Sequence, residues 1–340
     1  MSSRARLLLL VALGAALLAL AAKPVLPAGI RSVGIVTIQV DHLTDAGVTF
    51  LNATCANDGD RRRVVLSAGA TLADCQNLAQ LTWLRTVSAE GSLPPDCLVA
   101  LGQVKALKTL AVNSAVTVNS AAMVGFASLE SLAFVQPRVE DLDWVARLPH
   151  LRTLSLRNAT LPGLKALAGN PTLEKLVLYG GNVTDADLPP LASLPHLQNL
   201  DIASTAVTTL APLTTCTTLT ALSCANLPLT DLTPLANLPH LQTLQLGYTR
   251  VTDLSPLKAC RALHTLDLHK SPVASLAPLT GLPDLQSLTC SDTQVTDIAV
   301  LPTLPSLKSV YLPYAIPADT VAAYQKAHPT VRVEQAAKPR

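Results

Sequence analysis

Seven cysteines and seven histidines are the residues of this chain best suited to metal or nucleophile chemistry, and their spacing argues against both. The cysteines stand at 55, 75, 97, 216, 224, 260 and 290, and no C-x-x-C pair occurs, so neither a zinc site nor a thioredoxin-like redox motif has a sequence basis. Cys216 and Cys260 replace an apolar residue ahead of a leucine-rich segment, and Cys224 and Cys290 replace a leucine within one, so all four are expected to be small buried hydrophobes. Cys75 and Cys97 are 22 residues apart. In a chain that repeats at that interval they stand one above the other, at a strand spacing of about 5 Å that a disulfide can bridge, with Cys55 as a rival partner.

His150, His196 and His240 recur in the tripeptide Pro-His-Leu. His196 and His240 are two repeats apart, roughly 10 Å by strand spacing, too far to share a metal ion. Asp201 and Asp267 are three repeats apart, about 14 Å, beyond the usual separation of paired glycosidase carboxylates. No phosphate-cradling glycine loop, H-E-x-x-H or G-x-S-x-G element is present, so no catalytic residue, metal or cofactor is expected.

What must position any site is the repeat itself. The segments LPHLQTLQLGYTRVTDLSPL (238–257), CRALHTLDLHKSPVASLAPL (260–279) and LPDLQSLTCSDTQVTDIAVL (282–301) superpose without a gap. Taking the first strand leucine as position 1, it falls at 84, 107, 129, 151, 173, 197, 219, 241, 263, 285 and 307, with spacings of 22 except one of 23 and one of 24. Two weaker units precede these, one with Val65, Ser67, Leu72 and Asp74, the other with Val36, Ile38, Leu43, Thr44 and Asp45, separated by an insertion over residues 52–63. Within a unit, L-x-x-L-x-L places alternate side chains on one strand face, as at Leu241, Leu244 and Leu246. An apolar residue five positions later, such as Val251, supplies the facing row. An Asp follows at 45, 74, 96, 141, 185, 231, 253 or 297, suited to accept the backbone N–H groups of the turn it opens. Pro212, Pro234, Pro256 and Pro278 fit the first turn of a short helix, so the convex side is expected to be 3₁₀ or irregular rather than long helices.

These units are similar to leucine-rich repeats, and the V-T-D-L-x-P-L segment resembles the 22-residue bacterial subtype of internalins, over roughly residues 33–312. The resemblance implies a leucine-rich repeat solenoid of α/β class, a right-handed superhelix with a parallel concave β-sheet and 3₁₀ or irregular convex turns. One departure is consistent. The position usually held by an asparagine ladder carries Thr205, Thr249, Ser271 and Thr293, with Ala159 and Leu227 elsewhere. The sorting signal and immunoglobulin-like domain of internalins are not in this sequence, so host invasion does not carry over.

The aromatic residues point to a surface. Outward strand positions are mostly small, for example Thr243, Thr265 and Ser287, yet four of the five tyrosines lie at strand exits or outward positions: Tyr179, Tyr248, Tyr311 and Tyr314. Neighbouring registers hold Asp201, Gln245, Asp267, His269 and Lys270. Tyrosine gives large amphipathic contact area at low entropic cost, so the expectation is a partner-binding patch on the C-terminal half of the concave face. With 25 basic and 23 acidic residues, net charge +2, nucleic acid is not expected as a partner. Apolar residues make up 49% and charged residues 14%, which excludes disorder and leaves a largely neutral surface.

The ends are read from pattern alone. Residues 1–22 hold Arg4, Arg6 and an apolar run from Leu7 to Ala22 ending in small residues, the layout of a secretory signal peptide, or of a short membrane anchor if uncleaved. Residues 23–83 form an N-terminal cap with degenerate repeats, 84–315 the regular repeats, 316–334 a helix and strand that cap the stack, and 335–340 a disordered tail. The sum is a monomeric, non-enzymatic scaffold outside the cytoplasm, either secreted, periplasmic or in the cell envelope, that recognises another protein. The competing reading is a membrane-anchored envelope protein that self-assembles.

Overall fold

The computed structural model describes residues 26, 30–33, 37–55, 63–94 and 96–337; the expectations for 1–22 and for the last three residues of the tail lie outside them. Fifteen described strands form one sheet. Ile30–Val33 runs antiparallel to Thr37–Val40, and every later pairing in this sheet is parallel. Each strand is three to five residues long, and its register with the next is fixed by identical positions, as in Leu222↔Leu244↔Leu266↔Leu288. Those leucines are at most 1% exposed and form a single column of core along the solenoid. A strand of three residues cannot hide a face alone, so each coil is stable only because its neighbours cover it.

The return side differs along the chain for a local reason. From Asp143 onward it consists of 3₁₀ turns, and those at 211–213, 233–237, 255–259 and 277–279 carry proline in their first two residues. Proline there loses no backbone bond and presets its torsion. The first three coils lack that proline and instead return through α-helices: α1 Asp45–Cys55, α2 Leu72–Leu78 and α3 Cys97–Leu101. The expectation of 3₁₀ or irregular turns therefore fits the coils from Asp143 onward and not these, the last of which is the first regular repeat. At the far end α4, Ala318–Ala327, buries Tyr324 against the last coil and stacks its ring on His328 at 4.5 Å. The closing strand is Arg332–Gln335, which takes in the first residue of the segment expected to be disordered.

The register of the weak units also differs from the spacing. Val64 pairs with Val87 and Leu66 with Ala89, so Val64 and Leu66, rather than Val65 and Ser67, hold the inward strand positions. In the preceding coil Ile38 pairs with Val64 and Val40 with Leu66. A strand has period two, so a shift of one residue exchanges its faces. Counted from the strands, Asp74 therefore stands one residue later than the other turn aspartates, and Asp45 two earlier.

Candidate functional site

The outward face of the sheet is a floor of small polar side chains. Adjacent strands align Ala221, Thr243, Thr265, Ser287 and Ser309 in one row, and Ser223, Gln245, Asp267, Thr289 and Tyr311 in the next. Tyr311 is 37% exposed and rims a shallow hollow of about 320 Å³ with Thr289, Arg332 and Glu334. A second hollow of about 220 Å³ lies toward the middle of the sheet, with Arg157 and Lys175 at one end and Asp201 and Gln245 toward the other.

The strand exits are more specific. Position 8 is left-handed in eight consecutive coils: Gln136, Asn158, Gly180, Ser204, Asn226, Tyr248, Lys270 and Asp292 have φ between 52° and 70°. Gly, Asn and Asp accept that conformation readily, whereas a bulky residue does so at a cost. Backbone bonds between coils hold the turn, including Tyr248 N–H to the His269 carbonyl at 2.7 Å and Lys270 N–H to the Ser291 carbonyl at 3.0 Å. Tyr248 is thus fixed with its side chain outward, 52% exposed.

Around it the structure assembles one cluster. The Lys270 ammonium lies 3.3 Å from the Tyr248 hydroxyl and 5.0 Å from its ring centroid, and the His269 ring meets the Tyr248 ring edge-on at 5.1 Å. His269 Nδ1 is 2.7 Å from Ser291 Oγ and 3.9 Å from an Asp292 carboxylate oxygen. Sequence reasoning named Tyr248, His269 and Lys270 but missed Ser291 and Asp292, which occupy the same two positions, 7 and 8, one coil on. Tyr179 is elsewhere, three coils away, with the Arg157 guanidinium 5.8 Å from its ring centroid. Arg157 also escaped sequence reasoning, although it shares position 7 with Tyr179 and His269. Tyr314 is 45% exposed just past the strand of the last regular coil.

Other residues singled out by type have local duties. Asp201 and Asp267 each accept the N–H two residues on, from Ala203 at 3.1 Å and His269 at 2.9 Å. Of the turn aspartates, Asp231, Asp253 and Asp297 accept the N–H two residues later at 2.8 Å. Asp185 instead reaches the next coil, taking Thr208 N–H at 2.7 Å and Thr209 N–H at 3.1 Å. Cys216, Cys224, Cys260 and Cys290 are buried, and burial pushes the thiols of Cys216 and Cys260 up to about 11 and that of Cys290 up to about 12. His150, His196 and His240 are exposed at alternate turns, each two coils from the next. Among the described residues no group of three or more His, Cys, Asp or Glu side chains could hold a metal, and no helix is long and apolar enough to cross a membrane.

The ladder position behaves as hydroxyl chemistry dictates. Thr205, Thr249, Ser271 and Thr293 each donate to the carbonyl three residues back in their own coil, at 2.6–2.7 Å, rather than to the next coil. In the coil of Leu173 that position is Gly181, and the next residue, Asn182, makes the link between coils instead, donating to the Leu161 carbonyl and accepting the Leu161 N–H in the preceding coil.

A family model described as leucine-rich repeats in two copies matches residues 217–259 and 239–283. Among solved structures, an internalin (InlF) from Listeria monocytogenes aligns with a TM-score of 0.62 at 21% identity, covering 81% of this chain and 86% of its own. Internalin C2 from the same species aligns at 28% identity with a TM-score of 0.51, over 57% of this chain and 83% of its own. A leucine-rich repeat protein of Leptospira interrogans aligns over 87% of this chain and 93% of its own, at 16% identity and a TM-score of 0.52. No curated protein sequence matches the chain.

Proposed function

We propose that this chain, whose repeats match a leucine-rich repeat model over residues 217–283 and whose fold is similar to that of internalins, recognises another protein outside the cytoplasm through the C-terminal half of its concave face. The observation that carries this reading is the distribution of exposed large apolar side chains. Among the described residues these are four tyrosines, Tyr179, Tyr248, Tyr311 and Tyr314, and two valines, Val99 and Val124. The tyrosines all stand on strands or their exits from Tyr179 onward, whereas the valines belong to the return side of earlier coils. Exposed tyrosine beside Arg or Lys, as in Tyr179 with Arg157 and Tyr248 with Lys270, is the composition of interface anchors. The floor of Thr and Ser between them gives a preformed surface that needs little ordering on binding.

No residue is assigned a catalytic role, and no cofactor or nucleic acid enters the reading. Export is supported by the basic and apolar pattern of residues 1–22, and the protein acts as a monomer. The test places a photo-crosslinking residue singly at Tyr248, Tyr311, Val99 or Val124 in cells of the native host. One protein cross-linked from Tyr248 and Tyr311 and not from the valines supports the proposal. Cross-linking confined to Val99 and Val124, or only between copies of this chain, overturns it.

A further inference from the structure

Outside the tyrosine surface, the densest set of nucleophilic and charged groups lies at the other end of the solenoid. Cys75 in α2 and Cys97 at the start of α3 are both fully buried, and their sulfurs are 2.7 Å apart. That is well inside the contact distance of two unbonded sulfur atoms, and a shift of about 0.7 Å brings them to the length of a disulfide. Directly before Cys75, the buried Asp74 carboxylate ties α2 to the coil on the opposite side. It accepts Leu43 N–H at 2.6 Å and Thr71 N–H at 2.6 Å, while Asn77 donates to the Leu43 carbonyl at 2.5 Å. Two consecutive residues therefore reach in opposite directions along the solenoid axis.

We propose that Cys75 and Cys97 are joined by a structural disulfide, which together with the Asp74 carboxylate clamps the first three coils into one rigid cap. These coils need such a clamp. Their strands carry valine and alanine in place of much of the leucine column, as at Val64, Val87 and Ala89, and their return helices lack the proline that presets the later turns.

The chemistry balances with an external disulfide as oxidant, such as oxidised glutathione or an oxidoreductase of the export compartment. The Cys97 thiolate attacks the oxidant, whose S–S bond breaks and releases one thiolate. Cys75 then gives its proton to solvent and attacks the Cys97 sulfur, and the second oxidant thiolate leaves. Two thiols have lost two electrons and two protons, and one disulfide has become two thiols. Both sulfurs are inaccessible in the folded chain, so the exchange takes place before α2 and α3 close over them.

The test refolds the full chain from denaturant once in a mixture of reduced and oxidised glutathione and once in excess reductant. Each sample is alkylated under denaturing conditions, weighed and peptide-mapped. The expected result after oxidative refolding is five alkylated cysteines of seven, the bonded pair being excluded, with one peptide linking Cys75 to Cys97. The unfolding midpoint of the oxidised form should lie roughly 5–10 °C above that of the reduced form. A Cys75→Ala and Cys97→Ala double variant should have a midpoint independent of the redox mixture; if it does not fold, the wild-type mass and map decide. Seven alkylations after oxidative refolding, a cross-link to Cys55, or equal midpoints for the two wild-type forms overturns the proposal.

Discussion

Tyr248 and Lys270 hold the same left-handed backbone conformation one coil apart, and their side chains meet, ammonium to hydroxyl, at 3.3 Å. Neither is a residue that prefers this conformation. A non-glycine residue there costs roughly 1–2 kcal/mol, less for asparagine or aspartate. An exposed cation–π contact returns about 0.5–1 kcal/mol, so the pair does not fully offset its own backbone strain.

Tyr248→Asn should accordingly raise the unfolding free energy slightly, by a few tenths of a kcal/mol to about 1 kcal/mol, while weakening association with the partner. Calorimetry of the variant beside a binding titration checks both halves. A variant both less stable and unaltered in binding would mean that Tyr248 is packing, not contact surface.

Gly181 tests the same turn from the opposite side. Its φ is +79°, and a Cβ placed on it would come within 2.4 Å of the Ala159 carbonyl oxygen in the previous coil. Gly181→Ala thus adds a backbone clash to the left-handed penalty, and a loss of about 2–3 kcal/mol is expected in urea unfolding. At Gly169 the added Cβ meets nothing within 4 Å, so Gly169→Ala, with φ at +68°, should lose only the conformational part, about 1 kcal/mol.

Thr249→Val keeps the shape and removes the hydroxyl that donates to the Leu246 carbonyl at 2.7 Å in a site 4% exposed. The expected loss is about 1 kcal/mol. Because the bond stays within one coil, combining it with Ser271→Ala should give additive losses, and a coupling above about 0.5 kcal/mol would show that the hydroxyls act across coils.

Stability should fall on the acid side. Hydrogen bonds from the Thr233 and Ser255 segments lower the carboxyls of Asp231 and Asp253, and bonds from Ser120 lower that of Asp141. Burial raises Asp74 and Asp185, but the bonds from Thr71 and from Thr208 outweigh it and the net shift is downward. A carboxyl held below its unfolded value of about 3.9 contributes stability that is complete above that pH and is lost as the pH drops through the folded value. Unfolding midpoints should therefore be level from neutrality to about pH 5 and decline below about pH 4. Asp74→Asn, which alters the most buried of these carboxyls, should flatten the decline.

The solenoid was legible because one residue type recurs at one interval: leucine at 219, 241, 263 and 285 fixes strand, register and core together. Where valine and alanine replace it, the strand faces could not be told apart by spacing, and the unit around Val64 was placed one residue off and the unit before it two. Tyr248, His269 and Lys270 were found because aromatic and charged side chains stand out among Thr and Ser. Ser291 and Asp292 were not, since a serine and an aspartate in a turn carry no signal until the next coil brings them to His269. The left-handed turn was hidden by the mixture of types at position 8, although Asn158, Gly180, Asn226 and Asp292 already favour it.

That row of turns separates the path of the chain from what its rim displays. The bonds that hold the turns from Gln136 to Lys270 run from backbone to backbone, as Tyr248 N–H to His269 carbonyl does, and owe nothing to the side chain. Position 8 is therefore a series of interchangeable sockets, in which a substitution alters what the rim displays and leaves the path of the chain as it was. Half of the sockets hold Gly, Asn or Asp, which suit the bend, so a tyrosine and a lysine side by side mark the stretch where the rim's display comes at the expense of backbone ease.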